Sequence, residues 1–504
     1  MKIFSAQQIK ACDKFTIENE PVSSIDLMER ASLACIKYIV KKSSVDDEFA
    51  IFCGKGNNGG DGLAIARHLI VRGYVCNVYI VNHQEKYSED CATNLERLTI
   101  LKPEVITIIN HEDQLNTIPL NKNTVVIDAL FGTGLNKPIT GICDSVVNFI
   151  NAIGLKTISI DIPSGLYADK PNEKEDTIVR SSITLSFQFP KLSFLMAQNK
   201  YFVPDFEILD IELSKTFISK ENTPFYFITK SDLQPILKYR NKFSHKGSFG
   251  HALLLCGTYG KMGAAVIAAK ACLRSGAGLL TVHVPSKGVN IIQNSIPEAM
   301  VSADSNENFI TELPNIDKIA TVGVGPGLGT ESETEVVIKK LLNYSSAPIV
   351  FDADAINILA ANKTWLSFLP ANSILTPHVK EFDRLTENHQ DDFERLNSAK
   401  HFSLKHNCIL ILKGTYTLIA MPDGNCFFNS TGNAGLAKGG SGDTLTGIIT
   451  GLIARGYTPP QASLLGVFVH GLAADLCLKK INIESLLATD VIAKLPKAFE
   501  KLYE

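Results

Sequence analysis

Apolar runs short enough to be β-strands alternate with segments of helical periodicity from one end of this 504-residue chain to the other. No other feature restricts the fold as tightly, because strands separated by helices pair in parallel and need helices on both faces of the sheet. The first half predicts strands at 49–53, 75–81, 124–129, 157–162 and 183–189, and an amphipathic helix at 61–72 closed by Gly73. The first forty residues read as helical, with Ile25, Leu27, Met28, Ala31, Leu33 and Ala34 on one apolar face. The second half predicts strands at 251–256, 279–284, 318–324, 348–352 and 408–412, and an alanine-rich helix at 263–275. A hairpin is expected within 415–430, turning at Pro422-Asp423-Gly424, with helices after Asp443 and near 463–479. The chain is too long for one core, so two domains are expected. Periodicity lapses in the polar string SKTFISKENT (214–223), which is read as a linker between domains 1–215 and 223–504.

Charge and composition exclude several classes of function. The formal net charge of −3 gives no electrostatic attraction to nucleic acid or to an anionic membrane. No apolar run approaches the roughly 20 residues of a membrane span, and the opening MKIFSAQQIKACDKF lacks the features of a signal peptide. The eleven cysteines are scattered, odd in number and free of C-x-x-C pairs. Such usage predicts reduced thiols in the cytoplasm, with neither a disulfide framework nor a zinc site.

The string Lys438-Gly439-Gly440-Ser441-Gly442-Asp443-Thr444 runs into an apolar helical segment carrying Leu445, Ile448, Ile449, Leu452 and Ile453. Glycines let successive N–H groups converge there, and a helix start adds partial positive charge, so the string suits a phosphate. An acid at that place repels such a ligand. Asp443 is therefore either a helix cap or a base for a hydroxyl beside the phosphate.

Three loops in the first half follow predicted strands: CGKGNNGGDGL (53–63), DALFGTGLNKP (128–138) and Asp161-Ile162-Pro163-Ser164-Gly165. Ligands of open parallel sheets bind at such strand ends. Asn58, Asp128, Asp161 and Ser164 would share one edge, a set suited to hydroxyls, a phosphate ester or a weakly hydrated monovalent cation.

On GNNGGDGL, DALFGTGL and IDIPSGL, residues 1–215 resemble the YjeF N-terminal family, the NAD(P)H-hydrate epimerases, with a Rossmann-like three-layer fold. The resemblance implies that Asn57, Asn58, Gly59, Gly60 and Asp61 contact the hydrated nicotinamide nucleotide, together with Gly132, Thr133, Gly134, Leu135, Asn136, Lys137 and Pro138. It implies a potassium ion held by Asn58, Asp128 and Ser164, and Asp161 beside the reacting ring as the catalytic group. Lys137 is an alternative partner for phosphate charge.

The second half carries FSHKGSFGHALLLCG, TVGVGPGLG, VFDADAINIL, ILTPHVKEFDRL, LILKGTYTLI and NSTGNAGLAKGGSGDTLTG. Taken singly, His378 is more commonly a capping or core histidine than a ligand contact, and Asp352 serves equally as a helix cap. As a set, the motifs over 225–504 resemble the YjeF C-terminal family, the NAD(P)H-hydrate dehydratases of ribokinase-like fold. That implies contacts from Ala264, Gly327, His378 and Asp443 to the hydrate, and from Lys413, Gly414, Thr415, Tyr416, Thr417 and Gly442 to the phosphate-donating nucleotide. ADP with Mg²⁺ is the implied donor, NADH- and NADPH-hydrate the implied substrates, and a homo-oligomer the implied assembly. The second set by itself also fits a small-molecule kinase of the vitamin or sugar type, with the first half a non-catalytic binding module. Fusion to an epimerase-like half argues against that alternative.

Overall fold

In the first half, β1 (Glu48–Cys53) lies between β2 (Val75–Val81) and β4 (Thr124–Ala129), and every strand pairing is parallel. With β3 (Ile106–Ile109), β5 (Thr157–Ile160), β6 (Ile183–Phe187) and β7 (Phe206–Leu209), the sheet order is β3-β2-β1-β4-β5-β6-β7. The chain runs outward from β1 to β3 and returns at β4, so the carboxyl ends of β1 and β4 flank a switch point. Alternation along β1 feeds two cores: Phe49, Ile51 and Cys53 pack with Leu63, Ile65 and Leu69, whereas Ala50 and Phe52 pack with Val146, Val147 and Ile150.

The structure is a computed structural model describing all 504 residues, in two compact units, Lys2–Thr223 and Pro224–Glu504 with Met1. The expected linker is a correction. Residues Lys215–Lys220 form a helix of the first unit, and Phe217 packs 5.5 Å from the Phe15 ring and 6.3 Å from Phe4. Phe217 and the adjacent Ile218 anchor this segment, and two neighbouring apolar residues are too few to produce a periodic signal. The helix predicted at 61–72 begins earlier, at Asn57, and ends at Val71. Glycines in its first turn permit that start: a Cβ on Gly59 would lie 1.9 Å from the Gly54 carbonyl oxygen.

The second unit carries ten strands: β8 (Phe225–Ile228), β9 (His251–Leu255), β10 (Leu279–Val284), β11 (Met300–Ala303), β12 (Thr321–Val324), β13 (Ile349–Phe351), β14 (Ile374–Leu375), β15 (Ile409–Leu412), β16 (Leu418–Ala420) and β17 (Cys426–Asn429). Their order is β11-β10-β9-β12-β13-β14-β15-β16-β17-β8, parallel from β11 to β15 and antiparallel through the hairpin β16–β17. The glycine-rich string opens helix Ser441–Ala454, which lies close against helix Met262–Arg274. Gly447 and Gly451 make that approach possible, since a Cβ on either would meet the carbonyl oxygens of Ala268 and Cys272 at 2.1 and 2.3 Å.

Candidate active sites

The three first-half loops converge. Gly132 brings them together, because its Cβ position is 3.3 Å from Asp161 Oδ2 and 3.5 Å from Asn58 Cβ. Asp161 directly follows β5 with φ +67°, and its carboxylate accepts from Lys191 Nζ at 2.6 Å and from the Thr133 N–H at 3.2 Å. Lys191 is fully enclosed and donates also to Ser186 Oγ at 2.9 Å. Nothing in FQFPK marked it, since its role depends on a strand end thirty residues earlier.

Beneath this pair, Asp128 accepts from Ser164 Oγ at 2.5 Å, Ser159 Oγ at 2.8 Å and the Ser164 N–H at 2.9 Å. Ser164 Oγ accepts in turn from the Phe131 N–H at 2.9 Å. Burial raises the Asp128 carboxyl above its ordinary range despite these donors. Asn58 is buried, and neither its amide oxygen nor its amide nitrogen has a hydrogen-bond partner. Asp61, behind it, is held well above the carboxylate range by burial and then by the Asp161 charge. Asp13, from helix Ala6–Asn19, is pushed up to about 7 by burial and then by Asp161. Asp13 and Asp61 thus both lie within reach of the Asp161 charge, which adds to burial in disfavouring their ionised forms. Gly60 is buried, whereas Asn57, Gly134, Asn136, Lys137 and Pro138 are exposed around this centre; Leu135 is half-buried.

In the second unit, Asp352 directly follows β13 at the N-cap of helix Ala353–Ala361, yet makes no side-chain capping bond. Its carboxylate instead accepts from Lys413 Nζ at 2.9 Å, Thr376 Oγ1 at 2.9 Å and Thr446 Oγ1 at 2.8 Å. Burial pushes Asp352 up, but Lys413 and the two hydroxyls outweigh it and hold the carboxyl below its ordinary value. Gly442 sits over the ion pair, its Cβ position 3.4 Å from both Asp352 Oδ2 and Lys413 Nζ. Asp443 lies inside the first turn of helix Ser441–Ala454, whose N-cap is Gly440, so it is not the cap. Burial, then the Asp352 charge, raises Asp443 to about 6. His378 does cap a helix: its Nδ1 accepts from the Glu381 N–H at 3.3 Å.

A cavity of about 690 Å³ opens beside this centre. Lys413, Gly414, Thr415 and Thr417 form one wall, Gly439, Ser441 and Gly442 contribute the helix start, and His378 joins the lining. Tyr416 is not in the lining; its ring lies 6.2 Å from Phe227. His470, from helix Pro459–Cys477, also lines the cavity. It is 8% exposed, its Nε2 has no partner, and burial with the Lys413 charge lowers it to about 4. In an apolar helix it reads as one more core residue, and only the cavity distinguishes it. Gly327 and Ala264 adjoin, the Gly327 Cβ position being 3.1 Å from Ala264 Cβ.

Two α/β units, one with an acid–lysine pair at a switch point and one with an acid beside an anion-binding helix start, define a two-domain enzyme acting on nucleotides. Residues 24–193 match the family model for the YjeF-related protein N-terminus, and 252–497 that for NAD(P)H-hydrate dehydratase. The bifunctional NAD(P)H-hydrate repair enzyme of Moorella thermoacetica is 33% identical over 100% of this chain and 98% of its own length. That of Escherichia coli is 28% identical over 98% and 93%. The second unit resembles a ribokinase-like superfamily protein from Enterococcus faecalis, with TM-score 0.50, 27% identity, 56% of this chain and 98% of that one covered. The chain belongs to the family of bifunctional NAD(P)H-hydrate repair enzymes, an epimerase domain followed by a dehydratase domain.

Proposed function

We propose that the first unit interconverts the two epimers of NAD(P)H-hydrate and the second dehydrates the S epimer at the expense of a nucleoside phosphate. The observation that carries this reading is the position of Asp443 within the charges of the Lys413–Asp352 pair and directly after Gly442, which lines a nucleotide-sized cavity together with Lys413. Hydroxide leaves poorly, whereas phosphate leaves readily once the ring nitrogen supplies electrons. Asp443 takes the proton of the ring hydroxyl as its oxygen bonds to the terminal phosphorus of the donor, while the bond from that phosphorus to the bridging oxygen breaks and the nucleotide leaves one phosphate shorter. The N–H groups at Gly439–Gly442 and the Lys413 ammonium stabilise the phosphoryl charge in flight. The ring nitrogen then expels phosphate, and loss of a proton from the neighbouring carbon restores the dihydronicotinamide. His378, in the cavity lining, and Ala264 with Gly327 hold the hydrate.

In the first unit, the carbon bearing both hydroxyl and ring nitrogen loses its configuration by ring opening or by transient loss of the hydroxyl. Either route moves a proton, for which Asp161 is the group, oriented by Lys191 and the Thr133 N–H. The buried, unpartnered Asn58 amide and the oxygens of Asp128 and Ser164 fit a potassium ion, which would supply positive charge near the substrate phosphates. No group of three or more His, Cys, Asp or Glu is gathered as for a resident divalent metal. Mg²⁺ in this reading arrives on the nucleotide phosphates, with ADP the donor. No helix is long and apolar enough to cross a membrane. All eleven cysteines are free and buried, which supports a reducing compartment, the cytoplasm in this reading, and the reading takes the enzyme as a homo-oligomer.

The test is recovery of dihydronicotinamide absorbance from mixed hydrate epimers with ADP, ATP or no nucleotide. Recovery with ADP and K⁺, none without nucleotide, and slower conversion of the second epimer when K⁺ is replaced by Li⁺ are expected. Accumulation of a stable phosphorylated product would make the second unit a small-molecule kinase instead.

A further inference from the structure

Between β17 and helix Ser441–Ala454 the chain forms no strand and only one helical turn, Ala434–Leu436. Thr431 to Ala434 and Leu436 to Lys438 nevertheless line the cavity of about 690 Å³. A cavity wall made of loop keeps its shape only where other elements satisfy its polar groups. Here helix Pro459–Cys477 does so. Thr431 Oγ1 donates to the Phe468 carbonyl at 2.8 Å, and a Cβ on Gly471 would lie 2.4 Å from the same hydroxyl. One turn further along the helix, Asp475 meets the loop with both carboxylate oxygens. Its Oδ2 accepts from the Gly432 N–H at 2.9 Å, and its Oδ1 accepts from Asn433 Nδ2 at 2.9 Å. At the far end of the loop, Lys438 Nζ donates to the Glu484 carbonyl.

Asp475 also decides which way Asn433 points. A carboxylate only accepts, so the NH₂ of Asn433 must face it. The amide oxygen is then turned to the Gly435 N–H, from which it accepts at 3.0 Å, capping the turn Ala434–Leu436. Gly435 is buried, so leaving that N–H unpaired would be costly. One acid outside the lining thus sets the Gly432 backbone, the Asn433 amide and the turn that follows, all of them in the wall.

We propose that Asp475 is a positioning residue for the phosphate donor, acting through Gly432 and Asn433 to hold the loop wall in its binding shape. The inference rests on the reading of this cavity as the donor site. Asp475 touches neither substrate. Lys413 and the helix start at Gly439–Gly442 serve the phosphates, and the loop from Thr431 to Lys438 is left to enclose the nucleoside. A change at Asp475 therefore acts on donor affinity and spares the phosphoryl chemistry at Asp443.

The experiment uses the full-length protein and measures Kd for ADP with Mg²⁺ by titration calorimetry, beside KM and kcat for ADP and for the hydrate. Asp475→Asn keeps the shape but lets position 475 donate or accept, which frees Asn433 to turn over. It should raise Kd and KM for ADP about tenfold, with kcat and the hydrate KM unchanged. Asn433→Asp sets two carboxylates face to face and should bind ADP more weakly still. Together the two substitutions exchange the partners. The amide at position 475 accepts from Gly432 and donates to position 433, whose carboxylate still caps Gly435. The double variant should return Kd for ADP to within about threefold of the wild type. An unchanged Kd in Asp475→Asn would overturn the proposal, as would a double variant no better than Asn433→Asp. A loss of equal size in the hydrate KM would also overturn it, by marking a general effect on the fold. Wild-type protein that binds ADP but turns over no hydrate would defeat the functional reading, while the same calorimetric comparison still decides on Asp475.

Discussion

Lys191 Nζ lies 2.6 Å from Asp161 Oδ1, and the lysine side chain is wholly enclosed while the acid is 12% exposed. The lysine thus forms the closed back of the pair and the acid its working face. Removing either partner strands a buried charge, at a cost of about 3–5 kcal/mol. Asp161→Ala therefore confounds chemistry with folding, whereas Asp161→Asn keeps an acceptor for Lys191. From a mixture of hydrate epimers, Asp161→Asn should show a fast phase of about half amplitude and then a slow one limited by spontaneous inversion, as loss of an acid–base group in the first unit requires. Added wild-type first unit should restore the single fast course. Equal rates for both epimers would exclude Asp161 as the proton carrier.

Asp443 should trade stability for chemistry. Its carboxyl stands at about 6 instead of 3.8, so the native protein binds this proton more tightly than the unfolded chain does. Ionisation therefore costs stability as pH rises from about 4 to about 6, and the cost is complete above that. The interval corresponds to about 3 kcal/mol. Asp443→Asn should lower dehydration by about 10²–10⁴-fold. The same variant should exceed the wild type in stability at about pH 8 and lose that advantage towards pH 4, measured by denaturant unfolding. Wild-type turnover should fall below about pH 6 with the loss of the base form.

The segment 215–220 should be needed by the first unit. A fragment ending at Thr223 keeps Phe217 against Phe4 and Phe15, and one ending at Ser214 loses it. The shorter fragment should melt at least about 5 °C lower. Identical melting temperatures would return this stretch to the status of a linker.

His470 should report on the donor nucleotide. An orphaned, neutral imidazole in the cavity wall is suited to the ribose or base and not to the phosphates, which Lys413 and the helix start already serve. His470→Phe should raise KM for ADP about 3–10-fold, the worth of one hydrogen bond, with KM for the hydrate unchanged. His470→Gln should recover part of the loss. An effect confined to the hydrate would place His470 on the other substrate.

Much of the fold was legible because its signals are local. Strands such as β2 and β10 were bounded correctly by their apolar runs, and the hairpin β16–β17 by Pro422-Asp423-Gly424. Helix starts were less legible: Asn57 to Gly60 read as loop because glycine is a poor helix former, and the close approach of Gly59 to Gly54 appears only in three dimensions. The edge strand β8 escaped notice because it joins the sheet through β17, about two hundred residues later.

The sequence by itself determined the α/β class, the division into two domains and the loops that carry chemistry, since periodicity and glycine-rich turns are properties of neighbouring residues. Only the tertiary structure decided which charges face one another. Lys191 meets Asp161 across 30 residues, Lys413 meets Asp352 across 61, and Thr446 meets the same carboxylate across 94. Parallel sheets bring distant strand ends side by side, and pairing among their loops is set by strand order and burial, which no local pattern encodes.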